Sequence, residues 1–175
     1  MQDYDFILKF ELPDSNIDPD TYIDALYESG CDDAMIGIGK KGYIALDFTR
    51  EAPSASVAIR SAIEDVKKAI PQAILFEVSP DLVGVTDLAK LLGCSRQNIL
   101  QLMSKGNSRC PHPVYEGAQS IWHLLEVLTW LSQERGYSVD ESLKETAIVT
   151  RKLNLARQTE IIDCDIPEDV KTLVA

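Results

Sequence analysis

Phe6, Leu8, Phe10 and Leu12 alternate along the start of the chain with Ile7, Lys9 and Glu11. A period of two predicts a strand with one buried face, and Pro13 stops it. Asp18-Pro19-Asp20 then opens a helix whose apolar side is Tyr22, Ile23, Leu26 and Tyr27, with Gly30 placed as its C-terminal cap. Two β-type runs follow, Ala34 to Ile38 and Tyr43 to Phe48, and the glycine-rich link between them reads as a hairpin. Pro53-Ser54 opens a second helix with Val57, Ile59, Ala62, Ile63, Val66 and Ile70 as its core stripe, and Ala73 to Val78 supplies a last strand. Residues 1–80 therefore read as β-α-β-β-α-β.

That order resembles the ferredoxin-like split βαβ sandwich, with two helices on one face of a four-stranded antiparallel sheet. The fold hosts many functions and implies none by itself. Gly37-Ile38-Gly39-Lys40-Lys41-Gly42 matches G-x-G-x-x-G letter for letter. A dinucleotide site needs the last glycine to open a helix whose N-terminus holds the pyrophosphate. Gly42 runs instead into the strand-like Tyr43 to Phe48, so the segment is expected to be a hairpin link.

The pattern changes at residue 82. Within Val85 to Met103, VTDLAKLLGCSRQNILQLM, Leu88, Leu92, Ile99 and Leu102 are spaced to wedge two helices together. Ala89 is small where the second helix crosses, Gly93 sits at a sharp turn that calls for a positive φ, and Cys94 tucks beneath it. Ser95 is a natural N-cap for the second helix. With Ile99 inward, Leu102 and Met103 also point inward and Gln97, Gln101 and Ser104 outward, with Arg96 on the flank of the first turn. A guanidinium there can pair with guanine or a phosphate, and glutamine amides four apart suit base edges, adenine above all. An ordinary helical hairpin with a solvated polar face is the plainer alternative.

After Gly106-Asn107, the stretch Arg109 to Tyr115, the tip Glu116-Gly117-Ala118 and the return Gln119 to Trp122 read as a small β-hairpin. A helix follows from near His123 through Leu125, Val127, Leu128, Trp130 and Leu131. Taken together, LAKLLGCSRQNILQLM, a proline-containing strand, a wing and a tryptophan leading into a helix that ends Trp-Leu resemble the excisionase and MerR-like winged helix-turn-helix family, over about 50 residues within 82–135. The resemblance implies a recognition helix at Ser95 to Lys105 in the major groove, contacting DNA through Ser95, Arg96, Gln97, Asn98 and Gln101. It places Lys105, Arg109 and the wing residue Gln119 near phosphates. His123 stands where such domains often carry arginine, and Cys110 where an aromatic is common. The former substitution weakens one phosphate contact, and Glu116 beside the wing tip repels DNA, so modest affinity at physiological salt is expected.

In residues 138–175, Ser138-Val139-Asp140-Glu141 has the S-x-x-E form of a capping box, which predicts a helix from near Val139 to about Thr159. Val149, Leu153 and Ala156, flanked by Ile148 and Leu155, form a stripe that needs a partner. It packs either on its own winged domain or on the same helix of a second protomer, as a dimer reading two half-sites would require. A last short helix is expected near Pro167 to Val174.

Charge first argues against this picture, then refines it. The 175 residues carry 17 basic and 28 acidic side chains, net -11, which excludes indiscriminate coating of nucleic acid or anionic membrane. Resolved along the chain, residues 1–81 carry 7 basic and 16 acidic groups, 82–131 carry 4 and 3, and 132–175 carry 6 and 9. Leu88 to Tyr115 contains Lys90, Arg96, Lys105 and Arg109 and no acid at all. The acidic N-terminal piece is correspondingly a candidate surface for a basic protein.

The 45% apolar composition indicates a globular chain, and the order of its elements an α+β one; there is no membrane-spanning run and no visible secretory signal, which points to the cytoplasm, in the nucleoid when DNA is bound. Four scattered cysteines make no disulfide framework, and Cys110, His112 and His123 lack paired metal-ligand spacing. No nucleophile-elbow, P-loop, HExxH or paired-carboxylate signature is present, so neither an enzyme nor a cofactor is expected. The expected function is sequence-specific binding of double-stranded DNA by a dimeric transcriptional repressor, with the N-terminal domain as sensor, dimerisation or partner module. The alternatives are the DNA-binding antitoxin of a toxin-antitoxin pair, an excisionase-like architectural factor, and a small-molecule-binding protein whose helix-turn-helix is vestigial.

Overall fold

The computed structural model describes residues 1–37, 39–104 and 110–162. Its elements are β1 (Gln2–Glu11), α1 (Ile23–Ser29, preceded by a 3-10 turn at Pro19–Tyr22), β2 (Ala34–Gly37), β3 (Tyr43–Ala52), α2 (Ala55–Ala69) and β4 (Ile74–Ser79). There follow β5 (Leu82–Val83), α3 (Val85–Leu91), α4 (Arg96–Ser104), β6 (Tyr115–Glu116), β7 (Ser120–His123), α5 (Leu124–Glu134) and α6 (Glu141–Ile162). The chain is a mixed α+β protein with antiparallel sheets. No helix among the described residues is long and apolar enough to cross a membrane.

The first sheet has the order β2-β3-β1-β4, antiparallel at every pairing. Alternation on β1 buries Tyr4, Phe6, Leu8, Phe10 and Leu12, and β3 buries Ile44, Leu46 and Phe48 opposite them. Helix α2 begins at the Ser54 N-cap, whose hydroxyl accepts from Val57 N–H, a cap that contributes about 1 kcal/mol. It turns Ala58, Ile59, Ala62 and Val66 onto the sheet. Val57, expected in the core stripe, is exposed, because it lies two residues from Ile59 and so on the far side of the helix. Gly30 ends α1 at φ 108°, as the sequence predicts.

The G-x-G-x-x-G segment joins β2 to β3, and Gly42 leads into a strand. Its glycine is needed for packing. At φ 77° its N–H donates to Ile17 C=O, its C=O accepts from Leu12 N–H, and a Cβ there would lie 2.6 Å from Ser15 Cα.

Strand β3 runs four residues beyond the expected Phe48. Arg50 keeps the inward register and is buried, its Nε and Nη2 paired with Asp33 at 2.7 and 2.9 Å and its Nη1 with Asp65 at 2.9 Å. Nη2 also donates to Gly30 C=O and Nη1 to Ser61 Oγ. Desolvation disfavours its charge, yet the two carboxylates more than offset this and hold the guanidinium pKa above its usual value.

A second core gathers Val83, Leu88, Ala89, Ile99, Trp122, Leu124, Val127, Leu128, Trp130, Leu131 and Ala147. Helix α6 packs on both cores. Val149 and Leu153 lie against the first, beside α2, while Leu143 and Ala147 join the second. It thereby takes a place next to α2 over the β1–β4 end of the sheet. This corrects the expectation of a partner-seeking stripe: Val149 and Leu153 are spent on the chain's own core, and only Leu155 and Ala156 remain exposed. Helix α6 also starts at Glu141 with Asp140 as its cap. The Asp140 carboxylate accepts from the Ser142 hydroxyl and N–H, which lowers its pKa. Tyr137 and Val139 pack on the second core, which keeps the chain out of the helix until Asp140. The short helix expected near Pro167 to Val174 lies outside the described residues.

Candidate nucleic-acid interface

Helices α3 and α4 are joined by a turn in which Gly93 adopts φ 61°, Gly93 N–H donates to Lys90 C=O, and Cys94 N–H donates to Ala89 C=O. Only a residue free of the Cβ penalty occupies that conformation cheaply. Ser95 caps α4, its hydroxyl accepting from Asn98 N–H at 3.1 Å, so this side chain is engaged in building the helix. Asp87 accepts from Gly84 N–H at 2.9 Å and fixes the start of α3.

Ile99 is buried in the second core, with Leu102 and Met103 packed at its edge. That anchoring sends Arg96, Gln97, Asn98 and Gln101 to the solvent, where all four are exposed. None of them carries negative charge, and α4 has no acidic residue in its first turn. Lys105 and Arg109 lie outside the described residues.

β5, β7 and β6 form a three-stranded sheet in that order. β6 and β7 make a hairpin with Tyr115 opposite Ile121 and Glu116 opposite Ser120, closed by Gly117 N–H donating to Gln119 C=O. Gln119 is exposed at the tip, as is Glu116. Gly117 lies under the Tyr115 ring, where a Cβ would meet the Tyr115 hydroxyl at 2.6 Å. Trp122 Nε1 donates to Pro111 C=O at 3.0 Å and holds the incoming segment to the hairpin.

His123 is separated from these residues by its contacts. Its Nδ1 lies 2.8 Å from Asp81 Oδ1, and the Asp81 carboxylate is only 5% exposed. The other Asp81 oxygen accepts from Asn154 Nδ2 at 2.9 Å, and the Asp81 backbone C=O accepts from Leu124 N–H. The ring thus serves the junction between the two cores through Nδ1 and is the least exposed of the described residues expected to meet DNA.

Arg135 was not singled out by the sequence. Its Nη2 donates to Leu102 C=O at 2.6 Å, near the end of α4, and its guanidinium lies 5.0 Å over the Trp130 ring. It ties the end of α4 to the end of α5. The only signal in the sequence is a basic residue after a helix rich in apolar groups, which many solvent-exposed arginines share.

A separate open groove of about 830 Å³ runs between Pro111, His112, the Leu125–Trp130 side of α5 and Arg151 of α6. Among the described residues no three His, Cys, Asp or Glu side chains converge as metal ligands. Burial raises the Cys31 and Cys110 thiols above their usual pKa, which makes both poor nucleophiles at neutral pH. No protein-family model, curated protein or solved structure matches this chain.

Proposed function

We propose that this protein binds double-stranded DNA sequence-specifically as a transcriptional repressor, with β5 to α5 as a winged helix-turn-helix of the excisionase and MerR-like kind and β1 to β4 as a ferredoxin-like domain. What carries the reading is α4: a helix anchored by Ile99, capped by Ser95, entered through a left-handed Gly93, and presenting Arg96, Gln97, Asn98 and Gln101 without an acid among them. That is the chemistry a major groove requires, in a chain that is otherwise strongly acidic. The exposed hairpin tip at Gln119 is of a size to lie along the backbone. The sheet order β2-β3-β1-β4 supports the ferredoxin-like reading of the first domain.

A single module with few basic groups makes few phosphate contacts, so two protomers on two half-sites belong to the same proposal. Their contact would use a surface other than the Val149–Leu153 stripe. The test is in vitro selection of bound duplexes at low and moderate salt, followed by gel shift with Arg96→Ala/Gln97→Ala. Loss of two base contacts worth about 1–3 kcal/mol each should weaken the selected site by at least tenfold. Unchanged binding by a folded double variant overturns the assignment of α4.

A second reading, the antitoxin of a toxin-antitoxin pair, is favoured by the sheet face opposite the helices. Asp3, Asp5, Glu11, Asp47 and Glu51 are exposed there, and Lys9 is already paired with Glu77 at 2.8 Å. Charge complementarity fits that face to a basic protein. Co-purification of a small basic protein from a neighbouring reading frame, released by salt, distinguishes this reading from a stand-alone repressor.

A further inference from the structure

Four apolar side chains lie along the middle of α4, and three of them are accounted for: Ile99 is buried, and Leu102 and Met103 pack at the edge of the second core. Leu100 belongs to neither core and is 52% exposed. It follows Arg96 by four residues and Gln97 by three. At about 100° per residue it therefore sits about 40° from the first and about 60° from the second around the helix axis, one turn further along. A half-exposed leucine between a guanidinium and an amide makes no hydrogen bond and leaves about half of its side chain open to a partner. It can recognise only an apolar group presented at the same depth. On the base edges of the major groove there is one such group, the C5 methyl of thymine.

We propose that Leu100 is a specificity-determining residue that reads a thymine methyl, one step along the groove from the bases met by Arg96 and Gln97. This rests on the DNA-binding reading above and adds to it a base identity. The selected site should contain a thymine at a fixed spacing from the bases protected by Arg96 and Gln97, once in each half-site.

The experiment starts from the duplex selected by the full chain. Each thymine in it is replaced singly by deoxyuridine, which removes the methyl and leaves every hydrogen-bonding group in place. Removing one buried methyl contact should weaken the wild-type chain about fourfold at one thymine per half-site. Leu100→Ala should bind the thymine and deoxyuridine duplexes equally, and its circular dichroism should match wild type because the side chain it loses belongs to neither core. A wild-type chain indifferent to every single replacement overturns the inference and leaves the DNA-binding reading standing. An equal loss in wild type and Leu100→Ala also overturns it. A chain that selects no duplex at all overturns both.

Discussion

Asn154 on α6 satisfies both outward backbone groups of Val78 on the edge strand β4. Its Oδ1 accepts from Val78 N–H at 2.9 Å and its Nδ2 donates to Val78 C=O at 2.8 Å. The same Nδ2 donates to Asp81. An edge strand ordinarily leaves such groups open to pairing with another chain, and here one buried amide closes them. Asn154→Ala leaves a donor and two acceptors short of partners at about 1–3 kcal/mol for each unsatisfied group, so a loss of about 3 kcal/mol is expected. Urea unfolding should show a lower midpoint at unchanged slope. A loss below about 1 kcal/mol would mean that water replaces the amide at this edge.

Arg50→Met should destabilise the chain by about 3 kcal/mol, because the partly buried Asp33 loses its counter-charge and the more deeply buried Asp65 keeps only Lys68. Arg50→Lys is expected to recover less than half of this, since an ammonium cannot reproduce the fork on Asp33. Thermal and urea unfolding of the three chains measure it.

Arg135→Ala removes the hydrogen bond to Leu102 and the stacking on Trp130, with an expected loss of about 1.5 kcal/mol. On the DNA-binding reading proposed above, its effect on duplex affinity should be uniform. Every duplex weakens by the same factor and the order of preference among duplexes is kept, as befits a residue that positions α4 without touching a base. A changed sequence preference would place Arg135 in the interface itself.

Two carboxylates on the open sheet face should respond to pH in opposite directions. Partial burial and then the nearby Asp5 raise the Asp47 pKa above its usual value. The folded state therefore holds that proton more tightly than the unfolded chain, and Asp47 costs stability once pH rises above its folded value. Asp47→Asn should gain about 0.3 kcal/mol at pH 7, a screened surface effect, with the gain fading in acid. Burial would likewise raise Glu77, but hydrogen bonds from Lys9 and Ser79 outweigh it and hold its pKa below the usual glutamate value. Its contribution is complete above the unfolded value and lost as pH falls through the lower folded one. Glu77→Gln should cost about 0.5 kcal/mol at pH 7 after allowance for exposure, with the difference closing in acid. Parallel urea titrations from pH 7 to pH 3 check both signs.

Local signals were enough for β1, for α2 from its Ser54 cap, and for the α3–Gly93–α4 turn, because each depends on neighbours within a few residues. Three features depend on distant partners and were hidden. In the sequence the alternation of β3 stops at Phe48, because the inward position 50 is an arginine, a residue type that ordinarily faces water, and its acids come from residues 33 and 65. The true direction of α6 was obscured because much of its buried row is polar: Thr146, Thr150 and Asn154 face the interior together with Ala147. At the candidate interface, the outward position of Gln97, Gln101 and Ser104 and the flanking place of Arg96 were legible from periodicity alone, and all four are exposed. The place of His123 was not legible, because its partner Asp81 lies 42 residues earlier and has no local signature.

Helix α6 spans 22 residues, about 33 Å, and lends side chains to both cores. Neither core can melt while the other keeps its full wall, so the two halves should unfold as one cooperative transition with equal calorimetric and van't Hoff enthalpies. The same shared wall couples the halves energetically. Anything that tightens the four-stranded sheet also raises the cost of loosening the helical turn at Gly93, through the persistence of one helix and without any hinge.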